Sequence, residues 1–187
     1  MIYKSKEFKR SSFNKFIFNL IIFLYFLGLC AGSIFAVKNA DNWDFIKRVT
    51  NIEKLTFQSK IQFFKLYKHY ILNNISFVAL VLIFKYSGIL KSMAAVIPFI
   101  LAIQNSCVYI ILLADSQLSI YALLFEHILK NTAVSFIIVL YVYTIIKEIL
   151  SGREDVKKDI KKLLIYWITI LGIYLIDYLI KAIIYPK

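Results

Sequence analysis

The chain contains few of the residues that build loops, disulfides or metal sites. Among its 187 residues there are two cysteines, two histidines, two prolines and five glycines. So few glycines and prolines argue against a loop-rich fold. Cys30 and Cys107 lie inside apolar runs, where they behave as small hydrophobic side chains rather than as a disulfide framework. With only two histidines, at no ligand spacing, the sequence predicts no metal site and no cofactor.

Long apolar segments are what the chain has instead. Hydrophobic residues make up 60% of it and aromatic residues 17%, and its mean hydropathy is +0.72. Crossing a bilayer as a helix takes about 20 apolar residues. The runs lack the strict alternation of barrel strands, so the sequence predicts an all-α polytopic membrane bundle with about five transmembrane helices in a single domain, 1–187. The five runs are Phe16–Val37, Tyr70–Phe84, Ser92–Leu113, Leu118–Ile146 and Leu163–Tyr185.

The net charge of +12 is concentrated beside these runs. Basic residues that flank apolar segments indicate a lipid bilayer, not nucleic acid, as the partner. The tail 1–15, the hinge with Lys85 and Lys91, and the loop 147–162 would share one side, which the positive-inside rule makes cytoplasmic. The first run exceeds the apolar region of a signal peptide, so it predicts a retained span. The heavy use of Ile, Lys, Asn, Phe and Tyr is typical of an AT-rich bacterial genome. We therefore expect a multi-pass protein of the bacterial plasma membrane with a cytoplasmic N-terminus.

Two connecting segments have patterns of their own. The predicted outer loop 38–69 is basic, against the rule, and its apolar residues recur at near-helical spacing. This pattern predicts an amphipathic helix on the membrane surface, or equally a helix packed on the protein's own loops. In the loop Ser151–Lys162, we expect the charges to form a solvated helix start, with a docking surface for a cytoplasmic partner as the alternative. The apolar residues of the first segment are Ile52, Leu55, Phe63, Leu66 and Tyr70.

Polar residues inside the apolar runs are the candidate functional site, because burying them in a membrane is unfavourable. At 1.5 Å per residue, Asn105, Glu126 and Asp177 each lie about 12 Å from the predicted outer end of their span. Four helices would thus bring polar groups into the outer half of the bilayer, and the inner halves of spans two to four would be almost purely apolar. The predicted intramembrane cluster comprises Asn73, Asn74, Gln104, Asn105, Glu126, His127, Lys130, Asn131, Asp177 and Lys181.

The spacing of these residues leaves three interpretations open. Glu126 with Lys130, and Asp177 with Lys181, stand four residues apart with the acid first, so each pair could neutralise its own charge within one helix. The cluster could then be polar glue between helices. It could also contact a substrate or peptide, or line an ion pathway.

Backbone effects are predicted in two spans. Gly28 and Gly32 form a G-x-x-x-G step that would let another helix approach span one closely. Pro98 predicts a kink or a broken hydrogen bond in span three.

In their order, these residues resemble the stage II sporulation protein M (SpoIIM) family over about residues 12–187. Paired asparagines, Asn73-Asn74, open the second span after an amphipathic stretch, and Asn105-Ser106 stands where the family has Asn-Gly. In the fourth span, only His127 matches a Pro-His-Gly-x-x-Glu-like motif. Asp177 and Pro186 fit the end of the last span. The resemblance implies a five-span bundle without known catalytic activity, whose relatives act in sporulation with cell-wall-remodelling partners, or accompany transporters and bacteriocin production or immunity.

The sequence therefore predicts a non-enzymatic accessory or scaffold protein, with no catalytic residues, that works with other membrane proteins such as an ABC-type exporter. No P-loop occurs in the chain, so an ATPase would be a separate protein. A small transporter or permease with an outer-leaflet polar pathway is the alternative. His127-x-x-x-Asn131 resembles one element of CAAX-type intramembrane proteases. That family also has a Glu-Glu pair and a second histidine in the membrane, and this chain has neither, so a protease is disfavoured.

Overall fold

The computed structural model describes residues 2–39, 63–114 and 128–184, and these ranges consist of helices and short turns. No strand occurs in these ranges, which confirms the all-α prediction. A short 3-10 helix, Lys91–Val96, precedes α3. The α-helices are α1 (Ile2–Lys38), α2 (Phe63–Tyr86), α3 (Ile97–Ala114), α4 (Leu129–Leu150) and α5 (Val156–Ile184).

The helices have membrane character, as the apolar runs predict. Four described segments are long and apolar enough to cross a bilayer, and α2 contributes a shorter apolar segment, Tyr70–Tyr86. α1 continues as helix through most of the basic tail, from Ile2. Residues 40–62 of the predicted amphipathic stretch lie outside the described residues, and its end is the start of α2 at Phe63. The four long segments are Ser12–Lys38, Lys91–Ile110, Leu129–Leu150 and Val156–Ile180.

α4 is the centre of the bundle. It contacts the other four helices and the 3-10 helix, whereas α1 packs most extensively on α3, and α2 packs on α5. Only 22% of the apolar window of α1 and 17% of that of α5 are buried, against 39% for α4, so these two helices turn wide apolar faces outward. The buried residues of α4 are Lys130, Asn131, Val134, Ser135, Ile138, Val139, Tyr141, Val142 and Ile145.

Close contact between α1 and α3 depends on the two glycines of the G-x-x-x-G step. A Cβ on Gly28 would lie 2.8 Å from the Cβ of Ala102 and would overlap the carbonyl oxygen of Phe99. A Cβ on Gly32 would lie 2.6 Å from the carbonyl oxygen of Ile103. The backbones therefore approach closely because both positions lack a side chain, which is the packing that small residues allow between membrane helices.

Pro98 lies where the predicted span changes from a 3-10 helix to α3, so α-helical hydrogen bonds do not run through the whole span. It is the second residue of α3 and follows the 3-10 helix. In the first turn of an α-helix, a proline removes no intrahelical hydrogen bond, because the first N–H groups have no partner there. The apolar run Ser92–Leu113 is thus divided into a 3-10 part and an α part.

A tight turn joins α4 to α5. The Gly152 N–H donates to the Ile149 carbonyl, and the Arg153 N–H donates to the Glu148 carbonyl, with Gly152 at φ 65°. This pattern is the Schellman motif, which favours glycine at the left-handed position. Asp155 then caps α5, since its Oδ1 accepts from the Lys158 N–H at 3.1 Å.

We expect alanine to lower stability at a glycine in the α1–α3 contact and not to lower it at a helical glycine with open space around it. Gly32→Ala should lower stability by about 1–3 kcal/mol, because the new methyl group forces α1 away from α3. Gly172→Ala in α5 is the matched control, because nothing lies within 4 Å of its added Cβ, and alanine is the better helix former. Unfolding in detergent measures both. Equal stability of the two variants would contradict the close α1–α3 packing.

Candidate functional site: two polar groups inside the bundle

Side chains of four helices meet in a polar layer near one end of the bundle. We use this name for Asn73, Asn74, Gln104, Asn105, Lys130, Asn131, Ser135, Tyr174 and Asp177. The Asn73 side-chain amide donates to the Gln104 Oε1 at 3.0 Å and so joins α2 to α3. The Asn74 amide donates to the Tyr174 hydroxyl at 2.6 Å and joins α2 to α5. Adjacent asparagines point to different helices because successive residues lie about 100° apart around a helix.

The third side of the layer connects α3 to α4. The Asn105 amide donates to the Ser135 hydroxyl at 2.6 Å and approaches the Tyr25 hydroxyl of α1 at 3.4 Å. The Ser135 hydroxyl in turn donates to the backbone carbonyl of Asn131 at 2.7 Å. Asn131 is itself buried on α4. Each of these bonds holds a polar group that lipid could not solvate.

A buried ion pair completes the layer. The Lys130 Nζ of α4 lies 3.6 Å from the Asp177 Oδ2 of α5, and both side chains are nearly inaccessible. The same ammonium lies 5.5 Å from the ring centre of Tyr70 and 5.7 Å from that of Tyr174. Aromatic faces attract a cation most strongly where water is excluded. The lysine charge is therefore stabilised by a carboxylate and two rings from neighbouring helices.

The structure brings together seven of the ten predicted cluster residues. Asn73, Asn74, Gln104, Asn105, Lys130, Asn131 and Asp177 all lie in the polar layer. Glu126, His127 and the side chain of Lys181 lie outside the described residues, so the two intrahelical pairs stay predictions. Asp177 is bonded across helices to Lys130, which sequence spacing alone does not indicate.

A second group, the charge cluster, lies at the opposite end of the bundle. It comprises Lys85, Glu148, Asp159 and Lys162. The Lys85 Nζ at the end of α2 lies 2.8 Å from the Glu148 Oε2 of α4 and 2.5 Å from the Asp159 Oδ2 of α5. Lys162 also contacts both carboxylates, and the Tyr86 hydroxyl donates to Asp159 at 2.5 Å. Two cations and two carboxylates thus neutralise each other where three helices end.

The buried Asp159 is an exception to the predicted solvated helix start, which otherwise agrees with the structure. Lys85 is 1% exposed and Asp159 is 1% exposed, although residues 151–158 around the turn are exposed. Asp159 lies in the first turn of α5, where its backbone N–H still bonds to the Asp155 carbonyl. Spacing within one helix could not have indicated this contact, because Lys85 and Asp159 belong to different helices, α2 and α5.

An apolar belt separates the two groups. From Lys130 to Glu148 along α4 the rise is about 27 Å, and most side chains buried between them are apolar, including Ile138, Val142 and Ile145. Tyr141 is fully buried there and packs its ring 4.8 Å from that of Tyr166. The polar layer and the charge cluster are therefore two separate sets of contacts between helices, one toward each end of the bundle.

Comparisons with known proteins find no match: no family model, no curated protein and no solved structure is similar to the chain. Within residues 2–39, 63–114 and 128–184, no group of three or more His, Cys, Asp or Glu side chains is arranged to hold a metal ion. The polar contacts of the described residues join helices to one another. Each end of the bundle is held by polar bonds between α2, α4 and α5.

The charge cluster should contribute strongly to stability. Lys85→Met leaves the Asp159 and Glu148 carboxylates buried without one of their cations, which should cost about 3–5 kcal/mol. Lys91→Met is the control, because Lys91 and its partner Glu154 are exposed, and such pairs contribute less than about 1 kcal/mol. Unfolding of the purified protein measures both, and equal losses would show that the cluster is not buried. Adding Asp159→Asn to Lys85→Met should recover part of the loss.

Each hydrogen bond of the polar layer should contribute less to stability than the ion pairs of the charge cluster. A double-mutant cycle of Asn74→Leu and Tyr174→Phe should give a coupling energy near 0.6 kcal/mol, the average for hydrogen bonds between membrane helices. Asn74→Leu with Tyr143→Phe is the control cycle and should show no coupling, because Tyr143 packs on Phe18 instead. Coupling of the same size in both cycles would contradict the bond between α2 and α5.

Proposed function

We propose that this protein is a non-enzymatic membrane scaffold, an accessory subunit that binds other membrane proteins. The observation that carries the proposal is the mutual pairing of interior polar groups, above all Lys130 with Asp177 and Lys85 with Asp159. Groups that already bond to each other stabilise one arrangement of helices. A catalytic or transport site needs groups that are available to a substrate.

The outer surfaces support the same proposal. α1 and α5 are the least buried of the four long helices, and they expose large apolar side chains such as Phe23, Phe26 and Ile168. In a membrane, these faces meet lipid or the helices of another protein. A rigid bundle with two such faces is suited to hold partner subunits.

The kind of partner follows from the SpoIIM resemblance. On that basis the partner is an ABC-type exporter used in bacteriocin production, secretion or immunity, or a sporulation or cell-wall assembly. In this proposal the protein lies in the bacterial plasma membrane, with its N-terminus and the charge cluster on the cytoplasmic side. The basic segments near that cluster support this orientation.

The apolar belt argues against the alternative of a small transporter. A polar pathway through the bundle would have to pass the buried side chains Ile138, Val142 and Ile145. The buried Lys130–Asp177 pair is the feature that favours transport, since membrane-buried charges commonly mark ion pathways. Loss of this ion pair should therefore abolish ion flux if the protein is a transporter, and should leave partner binding intact if it is a scaffold.

We expect affinity purification of the tagged chain from native membranes to recover exporter or cell-wall assembly subunits in fixed proportion. A tagged polytopic protein of similar size and abundance is the control. The variant Lys130→Met/Asp177→Leu, once its folding is verified by thermal unfolding, should keep these partners, because it replaces a buried pair by apolar groups of similar size.

Two outcomes would contradict the scaffold. One is recovery of the chain without a stable partner. The other is proton or cation flux through vesicles that contain the purified chain alone, with loss of that flux in the Lys130→Met/Asp177→Leu variant. The second outcome would support the transporter instead.

A further inference from the structure

A groove of about 470 Å³ opens beside the charge cluster, between the start of the apolar part of α1 and the α4–α5 turn. This volume is within the range of small-molecule sites. We call it the basic groove, because four basic side chains line it against a single carboxylate. These charged lining residues are Lys147, Arg153, Lys158, Lys162 and Glu148.

Most of the positive charge in the basic groove is not neutralised within the described structure. Glu148 is already bonded to Lys85 and Lys162. Lys147, Arg153 and Lys158 form no ion pair with another side chain in the described ranges. Three cations that converge on one groove favour an anionic ligand.

The basic groove is built on rigid elements. Arg153 follows Gly152 in the Schellman motif, so its backbone is fixed by the bond to the Glu148 carbonyl. Lys158 lies in the first turn of α5, where the side chain of Asp155 accepts a hydrogen bond from its backbone N–H. Side chains on such positions lose less freedom when they bind a ligand than those on a loose loop.

The uncharged lining combines polar side chains with exposed apolar ones. Phe13 of α1 and Leu150 of α4 line the groove and are 53% and 57% exposed. Thr144, the deepest lining residue of α4, lies six residues before the helix end, or about 9 Å below it. A small soluble anion would leave these apolar side chains uncovered, whereas a lipid covers them with its acyl chains.

We propose that the basic groove binds the phosphate headgroup of an anionic phospholipid, with the acyl chains against Phe13 and Leu150. The phosphate lies among Lys147, Arg153 and Lys158, and the carboxylate of Glu148 stays engaged by Lys85. Basic pockets between membrane helices at the bilayer surface bind anionic headgroups in this way. The site is independent of the scaffold function.

The experiment titrates the detergent-purified full chain with phosphatidylglycerol, phosphatidylcholine or inorganic phosphate and measures bound ligand by native mass spectrometry. We expect phosphatidylglycerol to bind more tightly than the other two. Arg153→Gln/Lys158→Gln should weaken its binding roughly 25-fold, since each basic residue near the surface contributes about a fivefold factor. Lys157→Gln/Lys161→Gln is the charge-matched control, because these exposed lysines of the same helix do not line the groove.

Three results would overturn the proposal. Equal losses in the two double variants would show diffuse attraction to a basic surface. Equal binding of phosphatidylcholine would show that the charge does not matter. Inorganic phosphate that binds as tightly as phosphatidylglycerol would show a site for a soluble anion. Partner recovery by the same variants is measured separately, so failure of the groove leaves the scaffold proposal standing.

Discussion

The contact of Lys85 with Glu148 and Asp159 determines how one whole end of the bundle is built. Each residue belongs to a different helix, and the lysine is almost fully buried between the two carboxylates. Desolvating a charge is so unfavourable that the lysine needs both partners in place. The end of α2, the end of α4 and the start of α5 are therefore constrained together, and the short Schellman turn between α4 and α5 fits this constraint.

At the opposite end, most contacts between helices are hydrogen bonds of neutral side chains and not ion pairs. In the polar layer, neutral amides and hydroxyls share the connections, and the Lys130–Asp177 pair is supported by the rings of Tyr70 and Tyr174. Amide and hydroxyl bonds between membrane helices are individually modest. Several of them in one layer nevertheless select one register among otherwise similar apolar surfaces. Apolar side chains alone would let the helices slide, because lipid tails are as apolar as the helix faces.

Sequence reasoning predicted the helices well, and the connections between helices only in part. Apolar length is a local property, so Phe16–Val37 indicates α1 directly. Depth along each run placed Asn105 and Asp177 near the same end, because rise per residue is nearly constant. Which carboxylate pairs with Lys130 depends on how the helices rotate against each other, and spacing within one helix does not specify rotation. Pro98 indicated an irregular point in the third run, and the helix type changes there from 3-10 to α.

The missed burial of Lys85 and Asp159 also explains why the basic groove is basic. Residues 147–162 contain four acids, and taken as a loop they would offset much of the positive charge. In the folded chain, Asp155 caps α5, Asp159 and Glu148 bind Lys85, and Glu154 pairs with Lys91. Each carboxylate has a structural role, so Lys147, Arg153 and Lys158 in the groove form no ion pair with another side chain of the described residues. The interaction that joins the helices at this end thereby also leaves an anion-binding surface beside it.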